Sequence, residues 1–277
     1  MRTGGLDRAL KALGPYLDDL VLCGAWAWFL YRRCVGSATW MPAEFTRDLD
    51  CVGRERLRIR GATVLERLKA NDFEWVPRGE ETPPVALFAW PRAHRAEIEL
   101  EFLVPTRGDG STRIVEIQEG LTAQALRDLE ILRDDPLRLT IDDRSPLAAD
   151  LSFRGVVQVP RIGHFAVQKA LIHQRRKPDE QVKDVFYVFD LIDRENGLSD
   201  ALLADVVGAM TKWRGEVAQF VRVLERRLAE PRFLFGVSEQ LPAERRPPVT
   251  YIEREIRAWL EGFGKAGAGA GPPGRVP

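Results

Sequence analysis

The stretch Phe45-Thr46-Arg47-Asp48-Leu49-Asp50-Cys51-Val52 decides the reading of this chain. Its residues alternate as a β-strand alternates. Asp48 and Asp50 fall on one face, Leu49 and Cys51 on the other. Just upstream, Leu20 to Cys23 is a short apolar run that reads as a buried strand. Gly24 follows, then a helix rich in alanine and aromatics over Ala25 to Arg33, then a loop over Gly36 to Glu44. A glycine at a strand-to-helix turn lets backbone approach a bulky ligand. The N-terminus of the next helix offers unpaired N–H groups and a positive dipole end to phosphate oxygens.

Downstream, Ala96 to Val104 reads as another strand. Within it Glu97, Glu99 and Glu101 alternate with Ile98, Leu100 and Phe102, so the three glutamates share a face. Hard divalent cations take oxygen ligands and fill their remaining positions with water and substrate phosphates. Two aspartates on one strand and a carboxylate from a neighbouring strand suit such ions. Glu101 is the preferred third carboxylate, because it leads into the apolar Phe102 to Val104, and Glu99 is next. In a two-metal site one ion lowers the pKa of an attacking hydroxyl and the other steadies the leaving pyrophosphate. Each feature also has a plain reading: an aspartate pair around one leucine is common on solvated strands, and a glutamate ladder is an ordinary polar sheet face. The combination with Gly24 carries the weight.

The rest of the chain supplies the frame. Leu6 to Leu17 has helical spacing, bent at Gly14-Pro15. Ala62 to Ala70 is amphipathic. Val85 to Trp90 reads as a strand that turns through Pro91 to Arg95 into the glutamate strand. Arg107 to Ser111 is a loop. Thr112 to Ile141 is ambiguous, with short strands at Ile114 to Ile117, Leu129 to Leu132 and Leu137 to Ile141 as its candidate elements. After Val159-Pro160 the pattern turns helical: Phe165 to Arg176, Val182 to Ile192, a long helix from Ser199-Asp200 through Leu228 with a break near Gly215, and a short one over Ile252 to Leu260. Gly264 to Pro277 is glycine, alanine and proline, and is expected to be disordered. The expected class is α+β: a mixed-sheet core over 1–158, a helical domain over 159–263 and a tail over 264–277.

Composition narrows the setting. The 277 residues carry 41 Lys plus Arg and 41 Asp plus Glu, so bulk charge gives no argument for nucleic acid or anionic membrane. No apolar run approaches the ~18 residues needed to span a bilayer, and Met1 to Asp7 has no apolar signal core. Three cysteines, Cys23, Cys34 and Cys51, favour a reducing compartment. The three histidines lack zinc-type spacing. The expectation is a cytoplasmic protein without a membrane partner.

Leu22-Cys23-Gly24-Ala25 followed by Thr46-Arg47-Asp48-Leu49-Asp50 resembles the polymerase-beta nucleotidyltransferase superfamily. The closer likeness is to a bacterial nucleotidyltransferase-fold family related to abortive-infection-class nucleotidyltransferase toxins. That family also carries a downstream proline, a lysine-bearing helix, a basic cluster and a Lys-Asp pair. Here these read as Pro160, Phe165 to Lys169, Arg175-Arg176-Lys177 and Lys183-Asp184, and the likeness spans Leu20 to Ile192. The resemblance implies that Asp48, Asp50 and Glu101 bind Mg2+ (or Mn2+), with Glu99 close by. It implies that Gly24 and Ala25 face the triphosphate, that Thr46 and Arg47 lie on the nucleotide side, and that Lys169, Lys183 and Asp184 contact nucleotide. The implied reaction moves an NMP from an NTP to an acceptor on RNA, protein or a small molecule. A catalytically inactive nucleotide-binding or regulatory member, and a tRNA-modifying toxin with an antitoxin-like partner, are the alternatives. Ala25 stands where many active members carry glycine or serine, and the third acid is glutamate rather than aspartate.

The physics of the second region reads on its own terms. Lys169, His173 and Arg176 lie at i, i+4 and i+7 on one helix face. A lysine there equally reads as one that snorkels from a core-facing helix. Arg175-Arg176-Lys177 is either a dipole-favoured helix end or a contact for triphosphate or RNA. Trp26, Trp28, Phe29 and Tyr31 read as packing, and Arg54 to Arg60 as a solvated loop or the lining of a substrate groove.

Overall fold

A computed structural model of the chain describes residues 3–37, 46–77, 86–90, 97–106 and 113–269. These divide into two compact units. One runs to Val35 and from Thr46 to Arg161; the other comprises Gly36, Ser37 and the residues from Ile162 onward. The expected Gly36–Glu44 loop (in all but its first two residues), the Pro91–Arg95 turn and the Arg107–Ser111 loop lie outside the described residues, as does Phe45.

The first unit is a mixed sheet with helices. In chain order it holds α1 (Gly4–Leu13), β1 (Val21–Leu22), α2 (Gly24–Cys34), β2 (Asp48–Val52), α3 (Val64–Ala70), β3 (Glu74–Pro77), β4 (Ala86–Trp90), β5 (Ile98–Pro105), β6 (Arg113–Gln118), β7 (Leu121–Leu126), β8 (Leu137–Ile141) and β9 (Gly155–Val159). Strands run β1-β2-β5-β4-β3, and β8 and β9 form a separate antiparallel pair. Strand β5 organises the sheet. It pairs in parallel with β2 along one edge. Along its other edge β4 pairs antiparallel over Ile98–Leu100 and β7 in parallel over Leu103–Pro105.

Apolar alternation explains which face is packed. Leu49, Cys51, Ile98, Leu100 and Phe102 are buried on one sheet face, where α1 presses so close that a Cβ on Gly5 would lie 2.9 Å from Ile98. Helix α1 ends where Gly14-Pro15 imposes a single tighter turn. Helix α3 starts on a capping box, with Thr63 and Glu66 each satisfying the other's backbone N–H. Its next amide, on Val64, donates to the buried Gln118 side chain at 2.7 Å.

Several expectations are corrected here. Leu129 to Leu132 is not a strand. It leads into a 3-10 turn over Ile131–Arg133 that buries Ile131 and Leu132. Strands β3, β7 and β9 were not anticipated. The first helix after Val159-Pro160 also differs: α4 spans Ile162–His173 rather than 165–176, starting directly after Pro160-Arg161.

The second unit is helical: α4, α5 (Pro178–Ile192), α6 (Ser199–Ala209), α7 (Arg214–Leu228), α8 (Pro231–Ser238) and α9 (Val249–Gly269). The long helix expected from Ser199 is two helices, broken over Met210–Trp213 just before Gly215. Pro178 opens α5, as proline suits a first helical position. Gly163 brings α4 against α6: a Cβ there would lie 2.7 Å from Asp205 and from the Val206 backbone. The last helix runs past Leu260 to Gly269, so residues 264–269 of the expected disordered tail are helical. Alanines alternate with the glycines there and favour the helix enough to extend it.

Candidate active site

Strand β2 and the start of α2 meet at one point. The Cys23 amide donates to the Asp50 carbonyl at 2.8 Å, which extends the β1–β2 pairing to the turn. Gly24 then adopts φ +63°, a conformation that only glycine enters readily. A Cβ built there would lie 2.1 Å from Asp50 Oδ2. The Asp50 carboxylate therefore fills the space that any other residue's side chain would take, beside the first turn of α2. That helix has no side-chain cap at its N-terminus, where its dipole favours negative charge. Ala25 follows, 8% exposed, without a polar group.

The pairing of β2 with β5 fixes the neighbours. Asp48 stands opposite Glu99 and Asp50 opposite Glu101, in parallel register. Four carboxylates thus line one sheet face on adjacent strands. Asp48 is exposed, and Asp50, Glu99 and Glu101 are half-buried. The opposite face is sealed: Leu49 and Cys51 are both 0% exposed. Burial, then the charges on Asp50 and Glu101, push the Cys51 thiol up, so the two carboxylates act together on one buried group. The strand entry is held from both sides. Thr46 Oγ1 accepts from the Asp48 amide at 3.2 Å, and the Glu99 amide donates to the Arg47 carbonyl at 2.8 Å. Thr46 thus shapes the strand, and Arg47 is exposed.

By donor chemistry this face fits a divalent cation such as Mg2+ or Mn2+: its acids are all carboxylates, on adjacent strands, with one side open. Among the described residues no three His, Cys, Asp or Glu side chains already stand as a metal-holding group. An ion bound by one or two carboxylates and completed by substrate phosphates does not require one.

Lys169, Lys183 and Asp184 belong to the helical unit. Lys169 is not exposed. Its Nζ lies 3.2 Å from Asp184 Oδ1, with both side chains under a tenth exposed, and it sits over the Phe165 and Tyr187 rings. Arg176 Nε lies 3.5 Å from the other Asp184 oxygen. Lys183 is exposed, with its Nζ 5.9 Å from the centroid of the same Tyr187 ring. Next to the pair, the fully buried His173 accepts from Arg227 Nε at 2.9 Å. Burial first, then Arg227, lowers the His173 pKa to about 4, so the ring is neutral. Arg227 is further tied to Glu230 and to Gln181 Oε1 at 2.6 Å, and stacks on Phe233 at 4.1 Å. The sequence reading missed Arg227 and its neighbour Arg226. The only signal for them was a pair of arginines at the end of a helix.

A family model described as nucleotidyltransferase matches residues 1–185. No curated protein and no solved structure matches the chain. The match covers the sheet unit, both aspartates, both glutamates, α4 and the first half of α5 with Lys183 and Asp184. With the strand–glycine–helix turn set against Asp50, it leads to one conclusion: this chain belongs to the nucleotidyltransferase family and is a transferase.

Proposed function

We propose that the chain moves a nucleoside monophosphate from an NTP to an acceptor hydroxyl, and that it does so at the sheet face carrying Asp48, Asp50, Glu99 and Glu101. The single observation that carries this reading is the register: Asp48 opposite Glu99 and Asp50 opposite Glu101, with Gly24 seated on the Asp50 carboxylate. Like charges directly opposite on neighbouring strands destabilise a sheet. The strand register gathers four of them on one half-open face, which supports a cation held among them.

In this reading Asp48 and Asp50 hold the divalent cation, substrate phosphates complete its shell, and Glu101 and Glu99 stand beside them on β5. Bound there, Mg2+ or Mn2+ would supply charge neutralisation for the triphosphate and activation of the acceptor hydroxyl. The chain's own contribution is positioning. The Gly24 turn lets phosphate oxygens approach backbone, and the first turn of α2 presents the positive end of its dipole to them. Ala25 offers no hydroxyl, so these contacts would come from main chain. Asp50 is held in place by the α2 turn, and Asp48 by the Thr46 hydrogen bond to its amide. The buried pairing of Lys169 with Asp184 supports a role in joining α4 to α5 rather than direct phosphate contact.

The test is label transfer. Purified protein with Mg2+, each α-labelled NTP in turn and a cell extract as acceptor source should yield labelled product. Asp48→Ala with Asp50→Ala should lower the yield by roughly a thousandfold, about 4 kcal/mol of transition-state stabilisation. Nucleotide binding without any transfer, in wild type and variant alike, would favour the non-catalytic alternative.

A further inference from the structure

The helical unit carries a second feature that the transfer site does not use. An open cleft is lined by Gln174, Gln181, Arg226, Arg227 and Glu230. Arg227 is immobilised by His173, Gln181 and Glu230, and its charge is met by Glu230. Arg226 differs. It is exposed on the cleft wall, and among the described residues it has no carboxylate partner. Arg222, one turn earlier on α7, is likewise exposed and unpartnered, as is Lys177 at the start of α5. Two arginines at i, i+4 repel each other. The helix dipole favours cations only in the last turn, which holds Arg226 and Arg227 but not Arg222. Fold stability therefore gives no reason for Arg222 one turn before Arg226, whereas an external anion shared by the two does.

We propose that these two arginines and the cleft beside them dock the phosphate backbone of a polynucleotide. The chain as a whole is neutral, so the attraction is local. The cleft is open rather than enclosed, which suits an extended anion. With Glu230 engaged by Arg227, the cleft's free charge is positive. Phosphate contacts of this kind position a strand without reading its sequence. The docking stands on the helical unit alone. The corollary that the acceptor of the transfer is a nucleic acid rests on the proposed function.

The experiment uses the full chain with chelator and no NTP, so failure of the metal-site reading leaves it intact. Anisotropy of a fluorescein-labelled single-stranded RNA of mixed sequence is measured across a salt series. Compared are wild type, Arg222→Glu with Arg226→Glu, and a control of equal charge change in the sheet unit, Arg127→Glu with Arg144→Glu. Thermal melts confirm folding, and Arg222→Gln with Arg226→Gln serves as a milder pair. Wild type should bind, and the α7 variant should lose at least about tenfold in affinity. Its slope of log K against log salt should flatten by about 1.4, at ~0.7 per lost contact on a single strand. Equal loss in both charge-reversed variants, an unchanged slope, or no binding by wild type would overturn the proposal. Displacement of the RNA by inorganic triphosphate at matched phosphate concentration would also overturn it, in favour of a free polyphosphate site.

Discussion

The two units hold their charges in opposite ways. On the sheet, four carboxylates of one sign stand side by side on a half-open face, two per strand. In the helical unit, Lys169 and Asp184 are of opposite sign, buried, and closed on each other between α4 and α5. A buried pair satisfies itself, and its cost is that neither member can be removed alone. A same-sign face gathers like charge by strand register, and a cation is what the proposed function adds to it. The lesson is that burial and pairing mark the architectural charges of this molecule. Like charge gathered on one open face marks the residues that the proposed function uses.

That contrast can be broken at its closed end first. Lys169→Ala leaves the Asp184 carboxylate buried with only the longer Arg176 contact, and should cost about 3 kcal/mol in denaturant unfolding. Replacing both members, Lys169→Met with Asp184→Leu, should recover most of the loss. If Lys169→Ala unfolds no more easily than wild type, the pair is not architectural. Next comes His173, which sharpens the same point. Its folded pKa is depressed to about 4, against an ordinary 6.5. The unfolded chain therefore binds the proton first. Its contribution to stability is complete above about pH 6.5 and is lost as pH falls toward 4, by roughly 3 kcal/mol. His173→Gln keeps an acceptor for Arg227 and should flatten the stability profile between those pH values. An unchanged slope would contradict the assignment. The smallest effect on stability is expected at the open end. Gly24→Ala should cost about 1–2 kcal/mol for the positive φ. It must also push the Asp50 carboxylate aside, so transfer should fall far more than stability does. Parallel losses would mean that Gly24 serves the fold only.

Much of the sheet site was legible because period-two alternation is unambiguous in Asp48-Leu49-Asp50-Cys51 and in Glu97 to Phe102. The register was not. Strands β2 and β5 are parallel and about fifty residues apart, and nothing in either strand alone states which acid faces which. Strand β7 escaped because Leu-Thr-Ala-Gln-Ala-Leu is poor in β-branched and aromatic residues, and its place is set by pairing with β5 and β6. Strand β3 is four residues long and ends in Pro77, which reads as a breaker. In the helical unit the grouping of Lys169 with His173 and Arg176 on one face was readable. That Asp184 closes on Lys169 from the next helix was not, because such a contact depends on how α4 and α5 pack. The resemblance assigned Lys169 and Asp184 to nucleotide, and their burial as a pair gives them another sufficient reason to exist.

The most direct measurement is Mn2+ binding, followed by electron paramagnetic resonance or calorimetry, in wild type and in Asp48→Asn with Asp50→Asn. Both proteins should melt alike. Wild type should take up Mn2+ and bind it more tightly when NTP is present, and the double variant should show neither uptake nor the NTP effect. Equal Mn2+ binding by the two proteins, or none by wild type with NTP present, would contradict the account.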